Sequence, residues 1–519
     1  MGLAFNIFTS AFSSIGAFLF GYDSGIIGTV LALPTFEDKF GKDADIQGAI
    51  VSTFNGQFYA DVSSEQQQQD GVFASRFSTR IFSSFLTLLR MFQAVQFSES
   101  KHLHLQIGAI FALWGSAMQA GANNIATMIV GRIIAGLAIG VLSMTVPLYN
   151  TEIAPSKHRG FLVGLTQQFI GIGFIVANWV GYAGQYIDGN NSWRVPLGLQ
   201  LVPAGLLLVG IQFLPNSPRW LLEVGRDDEA RSAVYKLHGG SSSEAQERAE
   251  NEYREMYDTI KAEMLIRSNK ISDLWATRAM LRRTLVGCGV QIFCQLTGIN
   301  IINYFGPRMW RSLGIQGGQE LLIQGIYGAV GPIANLFFIT LILDRVGRRK
   351  PLLFGAASFV ALFSVVAAIL ATNPVNEGAT NAANPAAQRA GIAMIFMTSI
   401  IFSVSFGPVS WVLASEVFPT SVRSIGTSVA TCSNWALNTL LSQVSPLALD
   451  TIKYKFYILF VVVNLVDFFI IYLFFPETKG KTLEEMNAVF GDEIDAQQVL
   501  YEHGKTGTPS HDQDEKGSA

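Results

Sequence analysis

Charged residues are scarce in this chain, and the ones set inside or beside long apolar runs are those whose spacing can do chemistry. Glu152, Pro155 and Arg159 make one cluster and Glu416, Pro419 and Arg423 another, each counterpart 264 positions apart (416 minus 152, 419 minus 155, 423 minus 159). In both, a carboxylate and a guanidinium stand seven positions apart (159 minus 152) across a proline that ends a helix, where a span meets its loop. Such groups can fasten helix ends through charge-assisted hydrogen bonds, or can act only as anchors at a membrane surface. Asp23 and Arg132 fall inside apolar runs instead. An ionised side chain at the bilayer centre costs about 2.5 to 3.5 kcal/mol on insertion scales, so each should face protein and find a partner. A mutual ion pair is the economical arrangement, and a pair that merely fixes the packing of spans one and four is the plain alternative.

The elements that must position these groups read as membrane helices. Charged residues make up 14% of the chain, against roughly 25% in soluble domains. Apolar runs approaching the length of a membrane helix cover 7–32, 106–121, 125–148, 161–183, 195–214, 283–305, 322–343, 351–371, 390–414, 425–445 and 454–475, with a weaker twelfth near 47–60. The repeated clusters then imply a duplicated helical bundle, residues 1–214 and 283–475. Two parallel halves related by an axis normal to the bilayer put a transported substrate between them at the midplane.

The polar stretch 215–282 has Arg219, Arg226, Arg278, Arg282 and Arg283 near its membrane ends, and the loops 156–160 and 344–350 are basic, while 372–389 is nearly free of Lys and Arg. By the positive-inside rule that stretch, both termini and the tail 476–519 belong in the cytoplasm. The first apolar run is too long for a signal peptide and carries Asp23, so it reads as a retained helix. A net charge of -3 gives no reason to expect a nucleic-acid partner. Cys288, Cys294 and Cys432 lie in apolar runs without ligand spacing, so neither a disulfide framework nor a metal site is expected. With no HExxH, GxSxG or P-loop, the chain does not read as an enzyme.

Short motifs spread over nearly the whole length identify a family. They are FGYDSG (20–25), GR (131–132), the two E-x-x-P-x-x-x-R clusters, PNSPRWL (215–221), QLTGIN (295–300), DRVGRR (344–349), GPVSW (407–411), SNW (433–435) and PETKGKTLEEM (476–486). Each is weak alone, and in this order they are specific. The chain resembles the sugar porter family of the major facilitator superfamily, in the manner of fungal hexose transporters. That resemblance implies an all-α polytopic membrane protein of two six-helix bundles. It also implies monosaccharide transport by alternating access, no cofactor, a monomer in the lipid bilayer, and a plasma-membrane location.

The resemblance further assigns roles. A carboxylate at the position of Asp23 resembles the proton acceptor of sugar/proton symporters, with Arg132 tuning it; passive members look alike here, so facilitated diffusion stays open. Glu152, Arg159, Asp344, Arg345, Arg348, Arg349, Glu416 and Arg423 match a salt-bridge network that holds the inner gate shut. Gln168, Gln295, Asn300 and Asn434 match amide ligands of the sugar, and Tyr304, Phe402 and Trp411 match its aromatic contacts. The chemistry fits, because a sugar presents hydroxyls that both donate and accept and faintly apolar ring faces that stack on aromatics. Gly298, inside QLTGIN, should weaken a helix where a half-broken span must bend.

The chain departs from the family pattern in three places. Cys294 stands where a glutamine is usual, and Pro332 where the eighth span usually has an asparagine, with Asn335 about a turn further on. The third departure is residues 57–105, where the second span and a first-half copy of DRVGRR are expected and the chain instead reads DVSSEQQQQD followed by a Ser-, Phe- and Arg-containing stretch. A glutamine run cannot cross hydrocarbon unaided. Either a translated intron or a genuine insertion accounts for it, and in the first case the product would be inactive. A transporter-like glucose sensor is a further reading, disfavoured by the short stretch 476–519, since sensors of that kind rely on long tails.

Overall fold

The computed structural model describes residues 2–41, 47–51, 101–155, 158–239, 242–266, 270–313, 315, 318–373, 384–419, 422–479 and 489–490. Of the anomalous stretch 57–105, only its last five residues fall within these. They open a helix, so the third span begins at Lys101 and not at 106.

The described residues are helical throughout, without a strand. In the first half, α1 (Gly2–Ser13) and α2 (Ile15–Val30) run on as one span, followed by a short α3 (Pro34–Phe40). Then come α4 (Lys101–Ala120), α5 (Ile125–Ile153), α6 (Arg159–Gly184), and the paired α7 (Asn191–Gly198) and α8 (Leu201–Gly210). Three polar helices intervene: α9 (Pro218–Glu223), α10 (Asp227–His238) and α11 (Ser243–Ile266). The second half holds α12 (Arg278–Leu296), α13 (Ile299–Ser312), α14 (Gln319–Phe337), α15 (Leu343–Val346), α16 (Arg349–Thr372), α17 (Pro385–Ser403), α18 (Phe406–Glu416), α19 (Arg423–Thr451) and α20 (Lys455–Phe474). The duplication survives in the helix boundaries, since α6 and α19 begin 264 positions apart (423 minus 159).

Among the described residues, nine helices or continuous helix pairs are apolar and long enough to cross a membrane. The runs expected at 106–121 and 425–445 are helical as well but fall outside that set, for a physical reason. Along α19, Thr427, Ser428, Thr431, Asn434, Asn438, Thr439 and Ser442 are buried. A helix surrounded by protein can carry polar side chains that meet partners there, so its average hydropathy understates its place in the bundle. At the periphery the pattern inverts: α20 exposes Leu465, Val466, Phe469, Tyr472 and Leu473 and buries Asn464. In water such a stripe would be a liability; facing lipid it is the expected surface.

The two halves meet on both sides of the centre. Toward the end bearing α9 to α11, called the loop end below, the Ser428 hydroxyl on α19 donates to Met144 Sδ on α5 at 3.0 Å, and Trp435 Nε1 donates to Ser143 Oγ at 3.3 Å. Toward the opposite end, Gly28 on α2 comes so near α13 that a Cβ there would lie 2.7 Å from the Asn303 carbonyl oxygen and 2.8 Å from that of Tyr304. Beyond it, Arg311 Nη2 donates to the Ala32 carbonyl at 3.3 Å, and its guanidinium lies 3.8 Å from Glu37 and 3.2 Å from Glu320.

Candidate functional site

The centre of the second half is built on two interrupted spans. α12 stops at Leu296 and α13 starts at Ile299, with Gly298 between them at φ +76. Only glycine adopts that left-handed conformation without a steric penalty, so the QLTGIN stretch breaks where its glycine indicates. α17 and α18 are likewise separated, around Ser405 with φ -140 and ψ -101. The first break brings Gln295 and Asn300 face to face. The second places Phe402 and Trp411 on the wall of one cavity.

A directional chain of amides runs through this region. Asn303 Nδ2 donates to Asn300 Oδ1 (3.4 Å), Asn300 Nδ2 to Gln295 Oε1 (2.8 Å), Gln295 Nε2 to Asn434 Oδ1 (2.8 Å), and Asn434 Nδ2 to Gln291 Oε1 (2.7 Å). Gln291 Nε2 ends it on the Ser410 carbonyl at 3.3 Å. A primary amide has two donors and two acceptor sites, so Gln295 and Asn300, each using one of either kind here, keep one of each for an occupant. Serial amides also polarise one another, so the array acts as a unit. Beside it lies a cavity of about 70 Å³, walled by Gln295, Asn300, Asn303 and Asn434 and by the rings of Phe20, Phe402 and Trp411.

Not every expected ligand lies on that wall. Gln168 is buried, and its Oε1 accepts from Asn335 Nδ2 at 2.8 Å; its neighbour Gln167 contributes to the cavity instead. Tyr304 is held by Asn438 Nδ2 at 3.2 Å and lines a separate opening of about 250 Å³ with Glu37, Arg308 and Arg311, toward the end opposite the loop. Cys294 does face the cavity, and its sulfur accepts from Ser410 Oγ at 3.7 Å. Pro332 and Asn335 both line it. Gln291 and Asn303 carry no motif signal of their own, although each lies four or fewer positions from an expected ligand (295 minus 291, 303 minus 300), the spacing that puts two residues on one helix face.

Asp23 and Arg132 do find one another. Arg132 Nη1 lies 2.7 Å from Asp23 Oδ2, joining α2 to α5. The guanidinium also donates to Gln119 Oε1 on α4 and to the Ile50 carbonyl, both at 3.3 Å. Gln119 is a third polar group of this site with no motif of its own.

At the loop end, Arg348 Nη2 lies 3.0 Å from Glu416 Oε1, linking the start of α16 to the end of α18. Arg349 reaches the Tyr472 carbonyl, and Arg423 Nε donates to the Phe418 carbonyl at 3.1 Å. Arg345 is exposed, and its carbonyl accepts from Lys479 Nζ at 2.5 Å. The side chains of Asp344 and Arg159 lie outside the described residues. Glu152 is approached by Lys101 Nζ at 3.7 Å.

The chain is similar to known proteins along nearly its whole length. The family model for sugar (and other) transporters matches residues 9–490. The chain is 32% identical over 493 residues to the MFS-type transporter criB of Aspergillus cristatus, covering 95% of both chains. It is 31% identical to the high-affinity glucose transporter of Kluyveromyces lactis, covering 95% of this chain and 86% of that one. Among solved structures it superposes on a double-tryptophan mutant of XylE with a TM-score of 0.73 at 21% identity, covering 94% of this chain and 100% of that one. It superposes on the proton:xylose symporter XylE bound to 6-bromo-6-deoxy-D-glucose with a TM-score of 0.68 at 22% identity, covering 93% and 99%; XylE comes from E. coli. The chain is a multi-pass membrane protein that belongs to the sugar transporter family of the major facilitator superfamily.

Proposed function

We propose that this chain carries a monosaccharide, a hexose or a pentose, across a membrane by alternating access, coupled to protons through Asp23 and Arg132. The observation that carries this reading is the amide chain from Asn303 to Gln291 beside Phe402 and Trp411, lining a small cavity whose other wall is Phe20, Gln167 and Phe174 of the first half. Amides with spare donors and acceptors next to aromatic faces suit a polyhydroxylated ring. The cavity, at about 70 Å³, is small against the roughly 300–1,000 Å³ of ordinary ligand pockets, so an occupant enters only when the halves part. The glucose transporter among the relatives and the xylose symporter among the structural neighbours support this cargo class.

In this reading the loop end is cytoplasmic, as its basic residues favour, and the protein acts as a monomer in the plasma membrane. The Arg348–Glu416 pair then closes the inner side. Protonation of Asp23 removes the charge that holds Arg132 and frees α2 to move against α5, so that proton and sugar bias the same two-state element. A second reading, facilitated diffusion with a purely structural pair, draws on the two further acceptors of Arg132, Gln119 and Ile50, which hold it without Asp23.

The test is uptake of labelled glucose and xylose in transporter-deficient cells expressing the full chain or its Gln295→Ala variant. Saturable uptake by the first and its loss in the second, at equal surface expression, is the expected result. Equal uptake by both removes the amide chain from the site.

A further inference from the structure

The span α20 turns one side to lipid and the other to protein, and its protein side is not wholly apolar. Phe460, Asn464, Asp467 and Ile471 are buried at helical spacing along one face. Asn464 Nδ2 donates to the carbonyl of Phe460, one turn back in its own helix, at 2.8 Å, and to the Leu296 carbonyl at 3.1 Å. Leu296 is the last residue of α12, where the break at Gly298 takes the in-helix donors away from the final carbonyls. The Phe460 ring covers the same spot, for a Cβ at Gly298 would lie 3.1 Å from its Cδ1. Both acceptors are carbonyls, so the nitrogen and not the oxygen of the amide must face them. Asn464 Oδ1 is buried without a hydrogen-bond partner among the described residues, a cost in an apolar layer that a leucine of similar volume would avoid.

We propose that Asn464 is a positioning residue of the sugar site: by holding the Leu296 carbonyl it keeps the α12–α13 junction bent, and so keeps Gln295 and Asn300 within reach of one another. The proposal rests on the sugar-transport reading and deepens it. A bend is what the amide chain requires, because in an unbroken α-helix residues five positions apart (300 minus 295) point roughly 140° away from each other. Asn300 Nδ2 nevertheless donates to Gln295 Oε1 at 2.8 Å. Gly298 permits the bend, at φ +76, but a glycine adopts many other conformations as readily and does not select this one. The donor on α20 selects it. Asn464 lies off the cavity wall, so its influence on a sugar passes through Gln295 and Asn300, which are on that wall.

The first measurement is backbone hydrogen exchange, read by mass spectrometry on the peptide 293–301 of the purified full chain without sugar. Asn464→Leu should speed exchange there about fivefold, the effect of losing one net hydrogen bond, while Asn464→Gln, which keeps a donor on a longer arm, should stay near the slow rate. Asn464→Ser, whose hydroxyl turns to a carbonyl of its own helix and is too short to reach α12, should match Asn464→Leu and replaces it if the leucine chain fails to fold. The second measurement is uptake of labelled glucose or xylose by the same variants in transporter-deficient cells. Asn464→Leu should raise KM about fivefold with the maximal rate per surface-expressed chain held within about twofold, and its effect on KM should not add to that of Asn300→Leu. A hydrogen bond that only packs two spans together would lower the amount of folded protein and leave KM alone. Unchanged exchange in the folded leucine and serine variants, or faster exchange with unaltered KM, overturns the proposal. Absence of uptake by the unaltered chain is instead the failure of the transport reading, and the exchange result still decides whether Asn464 holds the break.

Discussion

Arg132 Nη1 stands 2.7 Å from Asp23 Oδ2, and the two side chains are shut off from solvent where α2 and α5 meet. Removing one charge from a buried pair leaves the other uncompensated, typically at about 3–5 kcal/mol; Gln119 and the Ile50 carbonyl, which also accept from Arg132, should reduce that figure.

Asp23→Asn should therefore fold, reach the surface and exchange labelled sugar at equilibrium while losing accumulation above the external concentration. The measurement is the steady-state inside-to-outside ratio at an imposed proton gradient. A ratio near one in the variant supports coupling at this pair, and a wild-type ratio already near one supports facilitated diffusion.

Gln295 is the middle link of the amide chain, bonded to Asn434 and Asn300 at 2.8 Å each. Gln295→Leu should raise KM for sugar by about tenfold or more, since a lost hydrogen bond that strands its partners costs roughly 1–3 kcal/mol. Because the amides act together, Asn434→Leu added to it should cost much less than its own single effect. Additive losses in a double-mutant cycle on KM would show independent contacts instead.

Trp411 sits on the cavity wall with Phe402. Trp411→Ala should lower sugar uptake at least tenfold with surface expression near normal, and Trp411→Phe should recover part of it, because a ring face and not the indole nitrogen is what a sugar stacks on. Competition by unlabelled glucose against labelled glucose gives the affinity of each variant.

Gly28 is a contact point between the halves away from the loop end, where a Cβ would press on the Asn303 and Tyr304 carbonyl oxygens. Gly28→Val should hold α2 off α13, keep that end open and suppress net transport, while binding from that side persists. Labelling of a cysteine placed at Gln47, which lines the opening there, should become faster in the variant. Normal transport by Gly28→Val would show that the two helices need not close on each other.

Much of the architecture was legible because membranes impose a simple grammar. Long apolar runs, a repeated Glu–Pro–Arg cluster and an interior Asp and Arg are enough to imply the duplicated bundle and the Asp23–Arg132 partnership. Gly298 marked its own break, since φ +76 is a conformation that other residues rarely adopt. What sequence did not reveal was side-chain direction. Gln167 and Gln168 are adjacent amides, and only helix rotation decides that the first lines the cavity while the second turns to Asn335. Tyr304 faces the opposite opening for the same reason, α13 having been re-aimed by the break before it. The α4 boundary was misplaced because Lys101, His102 and His104 lower the hydropathy of a turn that is nonetheless helical and faces protein on its buried side.

The most direct measurement is counterflow in proteoliposomes containing the purified full chain, preloaded with unlabelled glucose or xylose and presented with the labelled sugar. A transient overshoot of label inside, abolished by Gln295→Leu, is the predicted result. Label held at the level of protein-free vesicles for every hexose and pentose tried, with the protein folded and inserted, contradicts it.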